Sequence, residues 1–187
     1  MKQFVKNIEW LFAYFFIFAI IGWIWEVIYK FYRYHVFVNR GMNHLPWLPI
    51  YGFGALIILT MYILMKKKNI FKVFFLSAFS GIVLEYFTSW VFQIIFDMRW
   101  WNYRNYFLNI NGRVCLQSFL FFGLFGLVAF YYIIPYVCKF LDKIQGKWFY
   151  IIMPFIILIF ISDVVLSSME PNKGKNITYS TRVDKDK

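Results

Sequence analysis

The sequence predicts an all-α protein, a polytopic membrane helix bundle of about five transmembrane helices. Three observations carry the prediction. Of 187 residues, 61% are hydrophobic and only 16% charged, against roughly 25% charged in ordinary soluble domains. The mean hydropathy is +0.59. Apolar stretches of about 20 residues, the length that crosses a hydrocarbon core, recur along the chain. The 25 Phe, 14 Tyr and 8 Trp exceed what one water-facing core can hold, and fit a surface that meets lipid and its interface.

The expected spans are residues 10–31, 47–65, 70–96, 114–138 and 148–168, so residues 1–168 form the bundle. The first is too long for a signal h-region and ends in the charged run Glu26, Lys30, Arg33, so it reads as a retained helix. The third is long enough to tilt or project. Residues 169–187 are polar and charged, and are expected to be a disordered tail. Cys115 and Cys138 are about 34 Å apart on one continuous helix and cannot form a bridge.

The net charge of +11 is placed mostly between apolar runs. There the cations act as topology signals and attract anionic lipid headgroups. No nucleic-acid-binding motif accompanies them, so no nucleic-acid partner is expected. Lys2, Lys6, Lys66, Lys67, Lys68, Lys72, Lys139, Lys143 and Lys147 share one side under five spans. This favours a cytoplasmic N-terminus in a multi-pass cell-membrane protein, although the tail cations oppose it.

Carboxylates inside apolar runs mark candidate chemistry, because an intramembrane charge costs roughly 2.5–3.5 kcal/mol on insertion scales. Glu85 has the clearest setting. Ser77, Gly81, Glu85, Ser89 and Gln93 recur every four residues and form one polar helix stripe. Glu26 follows Gly22 by one turn and precedes Lys30 by four residues, a spacing that suits an interfacial ion pair. Asp163, beside Ser162, is the weakest candidate.

The loops opposite the lysine-rich side bring Arg, Asn and aromatic residues together. They hold Asn39-Arg40-Gly41, a Pro49-Ile50-Tyr51-Gly52 string, Arg99-Trp100-Trp101 and Asn111-Gly112-Arg113. Arginine offers planar, bidentate recognition of carboxylate or phosphate. An aromatic belt with snorkelling arginines is the purely structural reading. The candidate binding residues are therefore Glu26, Asn39, Arg40, Tyr51, Glu85, Trp101, Asn111 and Arg113, with Glu85 expected to pair with Arg113 or Arg40. There is no P-loop, no H-E-x-x-H and no G-x-S-x-G. No cofactor or metal is expected, and the balance leans against an enzyme. A degenerate repeat is also suggested, because Gly22-x-x-x-Glu26 parallels Gly81-x-x-x-Glu85.

These strings, with Leu84-Glu85-Tyr86, Thr88-Ser89-Trp90 and Asn109-Ile110-Asn111-Gly112-Arg113-Val114-Cys115-Leu116, resemble the bacterial CmpB-like ABC-transporter type IV family. The likeness runs from about Gly22 to Gly126. Against the family pattern, Asn102 stands where Asp is expected and Arg104 where Ser is, and the Glu expected near Gln93 is missing, so this outer loop is more basic and less acidic. The resemblance implies a permease-like membrane component and, for an ABC system, a separate ATPase chain. Glu26, Arg40, Glu85 and Arg113 are expected to bind an anionic or zwitterionic solute or lipid headgroup, with membrane lipids and a homo-oligomer as further expected partners. A membrane-embedded enzyme using Glu85 as general base on a lipid or lipid-linked substrate is the alternative, and a regulatory or assembly subunit the third reading.

Overall fold

The structure is a computed structural model that describes residues 8–65, 69–173 and 179–180. The described part of the chain is helical, as expected. Its elements are α1 (Ile8–Tyr34), α2 (Pro49–Leu64), α3 (Ile70–Phe96), α4 (Leu116–Val128), a π-helical turn (Ala129–Ile133), α5 (Ile134–Ile144) and α6 (Lys147–Met169). A two-residue ladder pairs Met98–Arg99 with Tyr179–Ser180. Most of the tail falls outside the described residues, and so does the expectation of its disorder.

Four helical rods are long and apolar enough to cross a membrane: Ile8–Arg33, Ile70–Phe96, Leu116–Ile144 and Lys147–Met169. The remaining helix, α2, has 16 residues, or about 24 Å, short of a typical core of about 30 Å. The third rod, Leu116–Ile144, runs six residues beyond the expected 138. Beyond Cys138 the sequence stops being uniformly apolar, but Leu141 is fully buried while Lys139 and Lys143 stay outside, so an amphipathic turn carries the helix on. The π-helical turn in this rod ends two residues before Pro135. Proline lacks the N–H that continues an α-helical ladder, and a local π turn accommodates it.

The chain divides into two compact units, one of residues 1–66 with 128–172 and the other of residues 67–127 with 173–187. In the first unit α1 is the central helix, packing on α2, α5 and α6. Trp10 and Tyr14 are fully buried and stacked, and Phe15, Phe16, Trp47 and Phe160 form an edge-to-face cluster. The outer faces of α3 and α6 show the opposite pattern: Phe79, Val83, Leu158 and Leu166 are all more than half exposed. This is the inside-out distribution expected of a lipid-facing surface.

Within each unit, one helix pair is locked by the same reciprocal contact. A Cβ on Gly22 would strike the Tyr51 side chain, and one on Gly52 would strike Phe15. In the second unit, a Cβ on Gly81 would strike Phe122, and one on Gly123 would strike Phe74. Phe15, Gly22 and Glu26 on α1 have the same spacing as Phe74, Gly81 and Glu85 on α3. Each partner helix supplies an aromatic followed directly by glycine. Small residues of this kind let helix backbones approach closely. The same reciprocal glycine–aromatic contact thus recurs at both G-x-x-x-E strings.

Candidate functional site

The site is assembled on the polar stripe of α3. Asn69 caps this helix by accepting from the Lys72 N–H at 3.0 Å. Ser77, Glu85 and Ser89 are buried along the stripe. At its lower end Gln93 Oε1 accepts from Arg99 Nε at 3.0 Å, Arg99 Nη2 at 2.8 Å and Arg113 Nη2 at 2.6 Å. Arg113 Nη1 donates to Ser89 Oγ at 3.2 Å, and its guanidinium lies 5.5 Å from the Tyr86 ring centre, a cation–π arrangement. One turn further along, Glu85 Oε1 accepts from the Tyr103 hydroxyl at 2.9 Å.

The loop that delivers these groups is stiff because its polar atoms bond within it. Asp97 ends α3 in the left-handed region at φ 51° and turns the chain back. Tyr103 N–H donates to the Gly112 carbonyl. Asn109 donates to the Arg104 and Tyr106 carbonyls and accepts from the Gly112 N–H. Trp101 Nε1 donates to the Arg113 carbonyl at 2.9 Å. Gly112 has φ +65°, and a Cβ there would meet Arg104 and Asn102, so only glycine fits without strain. Cys115 and Ser118 then cap α4 reciprocally. Cys115 N–H donates to Ser118 Oγ, and Ser118 N–H donates to Cys115 Sγ.

Within this framework Arg99, Arg104, Asn109, Asn111, Gly112 and Arg113 line an open cavity of about 490 Å³. Three of the six are arginines, and none is a carboxylate. Arg99 and Arg113 are each only 7% exposed. The buried Nε of Arg113 has no hydrogen-bond partner among the described residues. Two buried guanidiniums that share a neutral amide oxygen raise the local potential and favour an anion in the space they face.

The first unit holds a second constellation. Glu26 Oε2 pairs with Arg40 Nε at 3.3 Å, and Glu26 Oε1 accepts from the Tyr51 hydroxyl at 3.0 Å. Asn39 accepts from Trp23 Nε1 at 2.7 Å and donates to the His44 carbonyl. Asp163, on α6, is the hub of the α1–α2 loop. It accepts from Trp47 Nε1 at 2.7 Å, Asn43 Nδ2 at 3.0 Å, and the N–H groups of His44 and Leu45. Ser167 Oγ lies 2.9 Å from His44 Nδ1 and donates to Asp163. This is not a nucleophilic triad. Ser167 is fully buried, and the same His44 nitrogen faces both Ser167 and Asp163.

The structure therefore places Glu85, Trp101, Asn111 and Arg113 together in one unit, and Glu26, Asn39, Arg40 and Tyr51 together in the other. Glu26, expected to pair with Lys30, is paired with Arg40, because the loop folds Arg40 back over the end of α1, and the Glu26 charge also acts on Lys30. Glu85 accepts from the Tyr103 hydroxyl, a contact that the expectation of an arginine partner had not named. Sequence reasoning did not select Arg99, Arg104 or Asn109 for the site, and it undervalued Asp163. The available signal was Gln93 at the end of the stripe, an acceptor in need of donors.

A family model described as "Putative ABC-transporter type IV" matches residues 13–168. No curated protein and no solved structure matches the chain. The match covers the helical rods, the polar stripe and both polar loops, so the chain belongs to this family of transporter-like membrane proteins.

Proposed function

We propose that the protein is a permease-like membrane component that binds an anionic group in the cavity lined by Arg99, Arg104 and Arg113. The observation that carries this reading is the charge of the wall: three arginines, two of them buried, and no carboxylate among the lining residues. Glu85 lies two turns up the same stripe and is held by Tyr103, so the cavity itself suits the anionic end of a solute or headgroup. The chain has no P-loop, so any ATP-driven step belongs to a separate ATPase chain. Contacts with such a chain, a homo-oligomeric state and an N-terminus on the cytoplasmic side belong to the same reading.

The test is a titration of the purified chain in detergent with inorganic phosphate, glutamate and phosphatidylglycerol, followed by its unfolding temperature. At least one of these is expected to raise the wild-type unfolding temperature and to lose that effect in Arg113→Gln. Equal responses of wild type and variant to all three would sink the proposal.

A further inference from the structure

We infer that the anion taken by this cavity is the phosphate of a membrane phospholipid, whose acyl chains lie along the loop tip at residues 106–110. The inference rests on the anion-binding reading above and names its ligand. The tip is built of apolar side chains that the protein does not cover: Tyr106 is 42% exposed, Phe107 66%, Leu108 63% and Ile110 56%. A contiguous apolar patch facing water is unfavourable and marks a contact surface. This patch lies on the loop joining α3 to the α4 rod, both long and apolar enough to span a membrane. The Phe107 carbonyl accepts the Leu116 N–H at the first turn of α4. The tip is therefore pinned where a spanning helix leaves the membrane, and its apolar neighbour there is lipid.

The backbone gives a second reason. Leu108 has φ 50°, the left-handed region in which leucine is strained and asparagine or glycine is comfortable. The turn alone does not account for a leucine. An apolar side chain that must reach lipid does.

The cavity and the patch share one wall. Asn109 sits between Leu108 and Ile110, lines the cavity, and holds the Arg104 and Gly112 backbones. A phosphate within reach of Arg104 and Arg113 thus lies a few residues of chain from the apolar side chains. A phospholipid has the same layout, an anionic phosphodiester next to acyl chains. Its phosphate would be bound by the arginines, which suit phosphate geometrically, and its chains by Phe107, Leu108 and Ile110.

The test measures binding to the full chain in detergent by native mass spectrometry. The probes are phosphatidylglycerol, its deacylated headgroup glycerophosphoglycerol, and diacylglycerol. Wild type is compared with Arg104→Gln and with the double variant Phe107→Ser/Leu108→Asn, whose new asparagine suits the left-handed backbone and keeps the turn. Phosphatidylglycerol is expected to bind at least about tenfold more tightly than either the headgroup or diacylglycerol, and Arg104→Gln to weaken it about tenfold. The double variant is expected to weaken phosphatidylglycerol by a similar factor and leave headgroup binding unchanged. If the headgroup binds wild type as well as the lipid does, or the double variant keeps wild-type lipid affinity, the lipid assignment falls and the anion site stands. Diacylglycerol binding as tight as phosphatidylglycerol overturns the role of phosphate. Failure of both phosphate-bearing probes to bind wild type removes the anion site and the lipid assignment together.

Discussion

Arg99 and Arg113 hydrogen-bond the same atom, Oε1 of Gln93. A neutral amide oxygen orients the two cations and, unlike a carboxylate, brings no charge of its own to them. The geometry of the loop is thus held by α3.

That arrangement predicts opposite effects on stability and binding. Gln93→Glu places a carboxylate between two buried guanidiniums and converts neutral hydrogen bonds into charge-assisted ones. The variant is expected to be more stable by about 1–3 kcal/mol. Its anion affinity should fall at least about tenfold, because the new carboxylate satisfies the arginines internally. Thermal unfolding and anion titration of the same sample check both signs. Tighter anion binding by this variant would contradict the site.

Asp163→Asn tests the hub of the first unit. The amide replaces one acceptor oxygen with a donor that faces donors from Asn43, Trp47 and the loop backbone. The expected loss is about 2–4 kcal/mol. It should appear as a lower unfolding temperature and a shift in tryptophan emission as the Trp47 indole loses its partner. An unfolding temperature within about a degree of wild type would show that the loop has another anchor.

The reciprocal glycine contacts predict rescue. Gly81→Ala drives a methyl group into the Phe122 ring and is expected to cost about 1–3 kcal/mol. Adding Phe122→Leu opens the space, so the double variant should be less destabilised than the two single losses combined. Strict additivity of the unfolding temperatures would argue that these side chains do not meet.

Orientation is tested by labelling. With the N-terminus in the cytoplasm and α2 crossing as the second of five spans, the α3–α4 loop faces outward and the 66–68 lysine run faces inward. In intact cells an impermeant maleimide should label Asn105→Cys and leave Lys67→Cys untouched; the native Cys115 and Cys138 are both buried. The reverse pattern inverts the topology.

Much of the fold was legible in hydropathy. The limits of α3 agree with the apolar run at 70–96, and α6 lies within a residue of its run. The polar stripe was legible too, because a four-residue period in an apolar helix has few other causes. What approaches the stripe was not. Arg99 and Arg113 reach Gln93 through turns at Asp97, Leu108, Asn111 and Gly112, all at positive φ. Only the glycine among them announces such a turn by residue type alone, with asparagine and aspartate as weaker signals. Asp163 was hidden for another reason. Its donors lie 116 to 120 positions away, and local periodicity holds no information about contacts at that separation.

That separation fixes an order of events during synthesis. Asn43, His44 and Trp47 leave the ribosome long before their acceptor on α6 exists. Until residue 163 emerges, an indole N–H, an amide and two backbone N–H groups of the α1–α2 loop have no carboxylate to meet. Since each unmet buried donor costs about 1–3 kcal/mol, the loop has little reason to close over α1 beforehand. The last helix therefore acts as a completion signal. A nascent chain halted before α6 would lack the one carboxylate that accepts from these four donors, and a finished chain has it.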